Sequence, residues 1–200
     1  NFGRIMAILT GHATSLFAFK DALVTFLTTN SSLVAAGQQW SVLRDEETTP
    51  GTDERLYLRG PGFMGQDLCY VFLRFYNRPT LLGGQLFFYT GTSYSAGSSY
   101  YNQPGAPNSS TTTATIAVVH QNFEYIVVAN GRRLIVIIRN PLATSIVYAG
   151  LFMPYSSPSE YPYPFILYGG LGSTVDTAPP YTDIDGAVAF VISEADWMRT

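Results

Sequence analysis

Residues 123–139 read FEYIVVANGRRLIVIIR, two apolar runs separated by Asn-Gly. The runs are rich in β-branched residues, with Phe123 and Tyr125 in the first, and the pair between them is a strong two-residue hairpin signal. A type I′ turn there needs positive φ at both central positions, which Asn130 and Gly131 tolerate. A chain with such a hairpin at its centre is committed to an antiparallel sheet. The rest of the sequence is read against that spine.

Further strands are predicted on both sides. WSVLR (40–44), ERLYLRG (54–60), LFFYTGTSY (86–94), ATIAVVH (114–120), TSIVYAGLFM (144–153) and GAVAFVISE (186–194) each read as strand. LCYVFLRFYN (68–77) is almost continuously apolar, which points to a central strand covered on both faces. The polar stretch DEETTPGTDE (45–54) reads as a solvated loop turning at Pro50-Gly51. Residues 95–113, rich in Gly, Ser, Asn and Pro, read as a flexible surface loop. With the hairpin, the count is eight or nine strands. The expected fold is mainly β, an antiparallel sandwich or barrel-like domain.

The front of the chain differs. Leu16, Phe19, Leu23, Phe26 and Leu27 recur at three-and-four spacing and predict a helix over 14–30, with Thr14 or Ser15 as N-cap and Asn30 as stop. SSLVAAG (31–37) predicts a short second helix that begins at Ser31 or Ser32 and ends at Gly37. The expected organisation is a helical segment, 1–38, packed on one face or edge of a β domain, 39–200.

Composition narrows the partners. Charged residues are 12% of the 200, against 46% hydrophobic and 14% aromatic, where about 25% charged is ordinary. Either part of the surface is covered by other subunits, or it is a Ser/Thr/Tyr surface over a well-packed interior; composition alone does not separate the two. Net charge is −3 and Lys20 is the single lysine, so no basic surface exists to track nucleic acid or an anionic membrane. No run of eighteen apolar residues predicts a membrane span. NFGRIMAILTG lacks the pattern of a signal peptide. Cys69, alone in an apolar run, predicts a buried thiol and no internal disulfide.

No catalytic, cofactor or metal pattern emerges. His12 and His120 are distant from each other and do not make a zinc signature with Cys69. Asp183-Ile184-Asp185-Gly186 resembles part of a calcium loop, but Glu194 lies one position off the template. Asp45, Glu46, Glu47, Asp53 and Glu54 fall in the predicted loop region, and Glu124 and Glu160 are isolated, so no pair of carboxylates is shown facing across a cleft. A small-molecule substrate is not expected.

The candidate site is instead aromatic. Tyr148, Phe152, Tyr155, Tyr161, Tyr163, Phe165 and Tyr168 crowd one stretch, spaced by Pro154, Pro158, Pro162 and Pro164. It reads as a stiff, non-regular segment whose rings suit a protein interface, a sugar-stacking platform or cover for the sandwich end.

The pieces LVAAGQQWSVLR, RLYLRGPG, ANGRR (129–133) and SEYPYP (159–164) lie within a stretch, from about residue 14 to 170, that resembles uncharacterised virion structural proteins of tailed bacteriophages, found among tail and baseplate genes. The resemblance implies a non-enzymatic assembly component of the virion tail region, made in the host cytoplasm. Its expected partners are copies of itself and neighbouring virion proteins. Docking is expected through residues 148–168 and the loop 95–113. The alternatives are a receptor- or glycan-binding module of a tail fibre, or a head or neck decoration protein.

Overall fold

The structure is a computed structural model. It describes residues 5–62, 68–78, 83–105, 114–118, 122–139, 144–152, 165–171 and 191–192. Among these, eleven strands form two antiparallel sheets. The strands are β1 (Ala7–Ala13), β2 (Ser41–Thr49), β3 (Asp53–Gly60), β4 (Cys69–Arg78), β5 (Gly83–Gly91), β6 (Ala114–Val118), β7 (Phe123–Asn130), β8 (Arg133–Arg139), β9 (Thr144–Phe152), β10 (Phe165–Leu171) and β11 (Val191–Ile192). The first sheet has the order β1-β7-β8-β9-β10-β11, and the second has the order β2-β3-β4-β5-β6. Each is open, so the fold is a sandwich and not a barrel.

Nine strands lie where the sequence placed them. The other two are β1, inside the segment expected to be helical, and β10, inside the aromatic segment expected to be irregular. β1 pairs along its whole length with β7, from Ala7 opposite Ala129 to Ala13 opposite Phe123. Of its inward positions Ala7, Leu9, Gly11 and Ala13 only Leu9 is bulky, so it lacks the repeated large alternation that marks a strand. The inward Gly11 has a physical cause, because a Cβ there would collide with the Tyr125 hydroxyl.

Helix α1 (Leu16–Thr29) is capped by Ser15, whose hydroxyl accepts from the Ala18 N–H at 3.0 Å. All five residues of the predicted apolar stripe are buried. The short helix α2 (Ser31–Ala35) is capped by Asn30, not by a serine, and ends before Gly37 at φ +64°. The helix does not lie on an outer face. It contacts β1 of one sheet and β2 and β4 of the other, and so closes the open side of the sandwich. Phe19 makes the bridge, with its ring against Phe75 of β4 and against Phe123 and Tyr125 of β7. On the opposite side β9 and β10 pack against β5 and β6.

The β7–β8 hairpin forms, but its turn is displaced by one residue. Asn130 pairs with Arg133, so Gly131 and Arg132 are the central pair. Gly131 lies outside the left-handed region, which rules out the expected type I′ turn. Asn130 acts as a side-chain cap instead, its Oδ1 accepting from the N–H groups of Arg132 and Arg133 at 2.9 and 3.1 Å. The turn then docks across the sandwich, where the Gly131 carbonyl accepts from the Gly62 N–H at 2.8 Å.

The predicted loop 45–54 is mostly strand. β2 runs to Thr49, β3 begins at Asp53, and only residues 50–52 turn, with Gly51 at φ +65°. Pairing then sorts the charges by their alternation. Asp45 and Glu54 share one face, where both meet Lys20 of α1, the Asp45 bond at 2.9 Å. Glu46 and Asp53 share the other face with Arg44, Arg55 and Arg74.

Residues 92–105 correct the expectation of a flexible loop; 106–113 lie outside the described residues. This stretch is a strap packed over the outer face of the second sheet. Tyr100, in a 3-10 turn (Tyr100–Asn102), is wholly buried, with its ring against Tyr57 and Tyr89. The Tyr89 hydroxyl donates to the Tyr100 carbonyl. Arg44 donates to the carbonyls of Ala96 and Ser98, and Arg74 to the Tyr101 hydroxyl at 2.7 Å. Gln103 holds the strap's own curve through Ser95 and Ser98. Gly91 lets the strap approach, since a Cβ there would meet the Pro104 carbonyl at 2.7 Å. β4 is thereby covered on both faces, as its apolar run implied.

Candidate interaction surface

The two sheets treat their outer faces differently. The second sheet carries Tyr57, Phe72 and Tyr89 outward, and the strap buries them. The first sheet has no such cover among the described residues, although its sequence is equally apolar.

β8 shows the problem most clearly. In RLIVIIR, Leu134, Val136 and Ile138 point inward and are fully buried. The alternate positions, Ile135 and Ile137, are again isoleucine. A strand this apolar throughout is built to be covered on both faces. Register extends the pattern sideways. Ile126 pairs with Ile137 and Val128 with Ile135 on β7, and Ile146 pairs with Ile137 on β9. On β1, Ile8 pairs with Val128. Ile8 is 62% exposed and Ile146 45% exposed, while the others are partly exposed. None of these six belongs to the core.

Charge on this face is sparse and collects at the strand ends. Glu124 and Arg139 face each other across β7 and β8 as an exposed pair at 3.5 Å. Arg133 lies at the opposite, turn end of β8. His12 is exposed on β1, paired with Glu124 in register.

The aromatic residues singled out from sequence join this sheet in part. Tyr148 takes the outer register position on β9 opposite Ile135 and is half-buried. Burial raises its phenol pKa, against the opposing charges of Arg133 and Arg132. Phe152 and Phe165 are opposite each other at the end of the β9–β10 ladder that residues 153–164 connect. Tyr168 is opposite Ala149 on β9 and Val191 on β11. Tyr155, Tyr161 and Tyr163, with all four prolines of the segment, lie outside the described residues. The sequence reading missed the aliphatic face beside them. Its signal was present in RLIVIIR, whose even and odd positions are both apolar.

No protein-family model and no curated protein matches this sequence. Function is therefore read from the chain's own chemistry.

That chemistry shows little reactive apparatus among the described residues. No group of three or more His, Cys, Asp or Glu could hold a metal. The acids that do converge are engaged by cations. Asp53 takes both Nε and Nη2 of Arg74 at 2.9 Å. Glu46 accepts from the Tyr57 hydroxyl at 2.8 Å, and burial followed by this carboxylate pushes the Tyr57 phenol up to about 12. Cys69 is fully buried, and burial pushes its thiol up to about 12, far from the thiolate a nucleophile needs. His120, Glu160, Asp183, Asp185 and Glu194 lie outside the described residues. No helix among the described residues is long and apolar enough to cross a membrane.

Proposed function

We propose that this chain is a non-enzymatic structural subunit of a tailed-phage virion, in the tail or baseplate, that assembles through protein–protein contacts. The observation that carries it is the aliphatic face of the first sheet, uncovered among the described residues, beside Tyr148 and the β9–β10 hairpin. An exposed apolar patch of several neighbouring isoleucines marks a surface that another protein covers. The contrast with the strapped second sheet supports this, because the described residues cover one apolar face and not the other. The ion-paired state of its converging acids supports a scaffold over a catalyst. The resemblance of ANGRR (129–133) and SEYPYP (159–164) to virion structural proteins supplies the setting.

Ile146→Lys, introduced into the phage that encodes the chain, tests it. The side chain is 45% exposed and outside the core, so the melting temperature stays within a degree or two of wild type. Particle-bound copies are expected to fall about tenfold, the effect of losing about 1.4 kcal/mol of contact free energy. Particles carrying the variant at wild-type copy number would contradict the proposal.

A further inference from the structure

We propose that Lys20 condenses with Asp45 to form an isopeptide bond, with Glu54 carrying the protons, so that helix α1 becomes covalently tied to β2. The bond forms once per chain and is a self-modification, not a turnover reaction. It goes beyond the assembly reading and does not depend on it.

The first observation is where the amine sits. Lys20 is the chain's single lysine, and it is 8% exposed. It stands on the buried stripe of α1 with Leu16, Phe19 and Leu23. The second is its distance from a carboxyl carbon. Nζ lies 2.9 Å from Oδ1 and 3.0 Å from Oδ2 of Asp45. Cγ lies between those oxygens, so the nitrogen is within about 3.3 Å of it, a near-attack distance. Turning the carboxyl about its Cβ–Cγ bond presents its face to the nitrogen. The third is a second acid on the same nitrogen. Glu54 contacts Nζ, and its side chain is 13% exposed. The β2–β3 register makes Asp45 and Glu54 diagonal neighbours on one face, so the sheet itself holds the proton carrier beside the reacting pair. The Asp45 side chain is 41% exposed, which leaves an exit for the water released.

The step balances within the three side chains. The Lys20 ammonium gives one proton to Glu54, which passes it to an Asp45 oxygen, so amine and acid are both neutral. The nitrogen lone pair attacks Cγ and the C–N bond forms. Nζ then gives a second proton to Glu54, which returns it to the departing hydroxyl as the C–O bond breaks. The products are an amide, one water and Glu54 unchanged, with no other reactant consumed. Burial lowers the Lys20 pKa, but Glu54 and Asp45 outweigh it and the value ends above the ordinary one. The ammonium is therefore the resting form, and the first proton transfer makes the condensation slow. Holding the groups in contact offsets this, because well-oriented intramolecular partners act at effective concentrations of about 10⁵–10⁸ M. The product fastens the helix that closes the open side of the sandwich, and it shortens the loop the unfolded chain can explore.

Intact mass spectrometry of the purified, denatured full chain, incubated folded until its mass is constant, tests the proposal. The wild type is expected to be lighter than its sequence by one water. Tandem spectra of a tryptic digest should show Lys20 joined to Asp45, with no cleavage after Lys20. Lys20→Arg, which keeps the cation, and Asp45→Ala should each show the full sequence mass. Glu54→Gln should slow the loss of water at least a hundredfold, within the range of a positioned acid–base group. A wild-type chain that keeps its full mass would overturn the proposal, as would a loss of water that survives Lys20→Arg or Asp45→Ala. Linking at the wild-type rate in Glu54→Gln would overturn the role given to Glu54.

Discussion

Trp40→Ala lowers the unfolding free energy by about 3–5 kcal/mol, the usual cost of truncating a fully buried aromatic. Trp40 is 2% exposed. It stands where the helical segment enters the second sheet, and it joins three parts of the molecule. Its backbone N–H donates to the Leu27 carbonyl of α1 at 2.9 Å. Its indole N–H donates at 2.9 Å to the carbonyl of Asn130, at the hairpin turn of the first sheet. Its ring faces Gly60 of β3, where even a Cβ would come within 3.0 Å. Alanine removes the ring and leaves the Asn130 carbonyl without its donor, adding to the cavity cost. A loss of about 4 kcal/mol lowers the melting temperature of a domain this size by roughly 8–16 °C. Urea unfolding followed by circular dichroism measures it. Trp40→Phe should recover most of the packing but not the hydrogen bond.

Asp53→Ala is expected to cost about 3–5 kcal/mol, because removing one partner of a buried ion pair leaves the other charge uncompensated. Asp53 is 5% exposed and is held by Arg74 through two bonds at 2.9 Å and by Arg55 at 3.2 Å. The same Arg74 holds Tyr101 of the strap, so the variant also loosens residues 92–105. Limited proteolysis should then cut within the strap before the rest of the domain unfolds. The pH dependence has a definite sign. Burial raises the Asp53 pKa, but Arg74 and then Arg55 outweigh it, and the folded value lies below the ordinary one. A depressed carboxylate contributes stability that is fully present above its unfolded pKa of about 4 and is lost as pH falls through the folded value. Asp53→Asn removes this contribution, so its stability should fall less steeply than wild type below about pH 4.

What the sequence disclosed and what it hid follow from the range of each signal. Helix α1 was legible because its stripe repeats over fourteen residues. β4 was legible because an apolar run with no polar alternation has one reading, burial on both sides. The strap was not legible. Gly, Ser and Pro dominate its composition, while its anchors are single groups (Tyr100, Gln103) whose partners lie on other strands. The acids of 45–54 looked solvated for the same reason, since Lys20 and Arg74 reach them only after the sheet has formed. β10 was hidden because the prolines up to Pro164 set the expectation for FILYGGL beyond them. For the site, the eye went to tyrosines and prolines. The aliphatic face was written in RLIVIIR and needed only the rule already applied to β4.

Counting copies of the chain in purified particles by quantitative mass spectrometry, after a high-salt wash, tests the central claim most directly. A subunit held by apolar contacts resists salt, so the account predicts a fixed whole number of copies per particle, unchanged by the wash. A chain abundant in the infected-cell lysate but missing from the washed particles would contradict it.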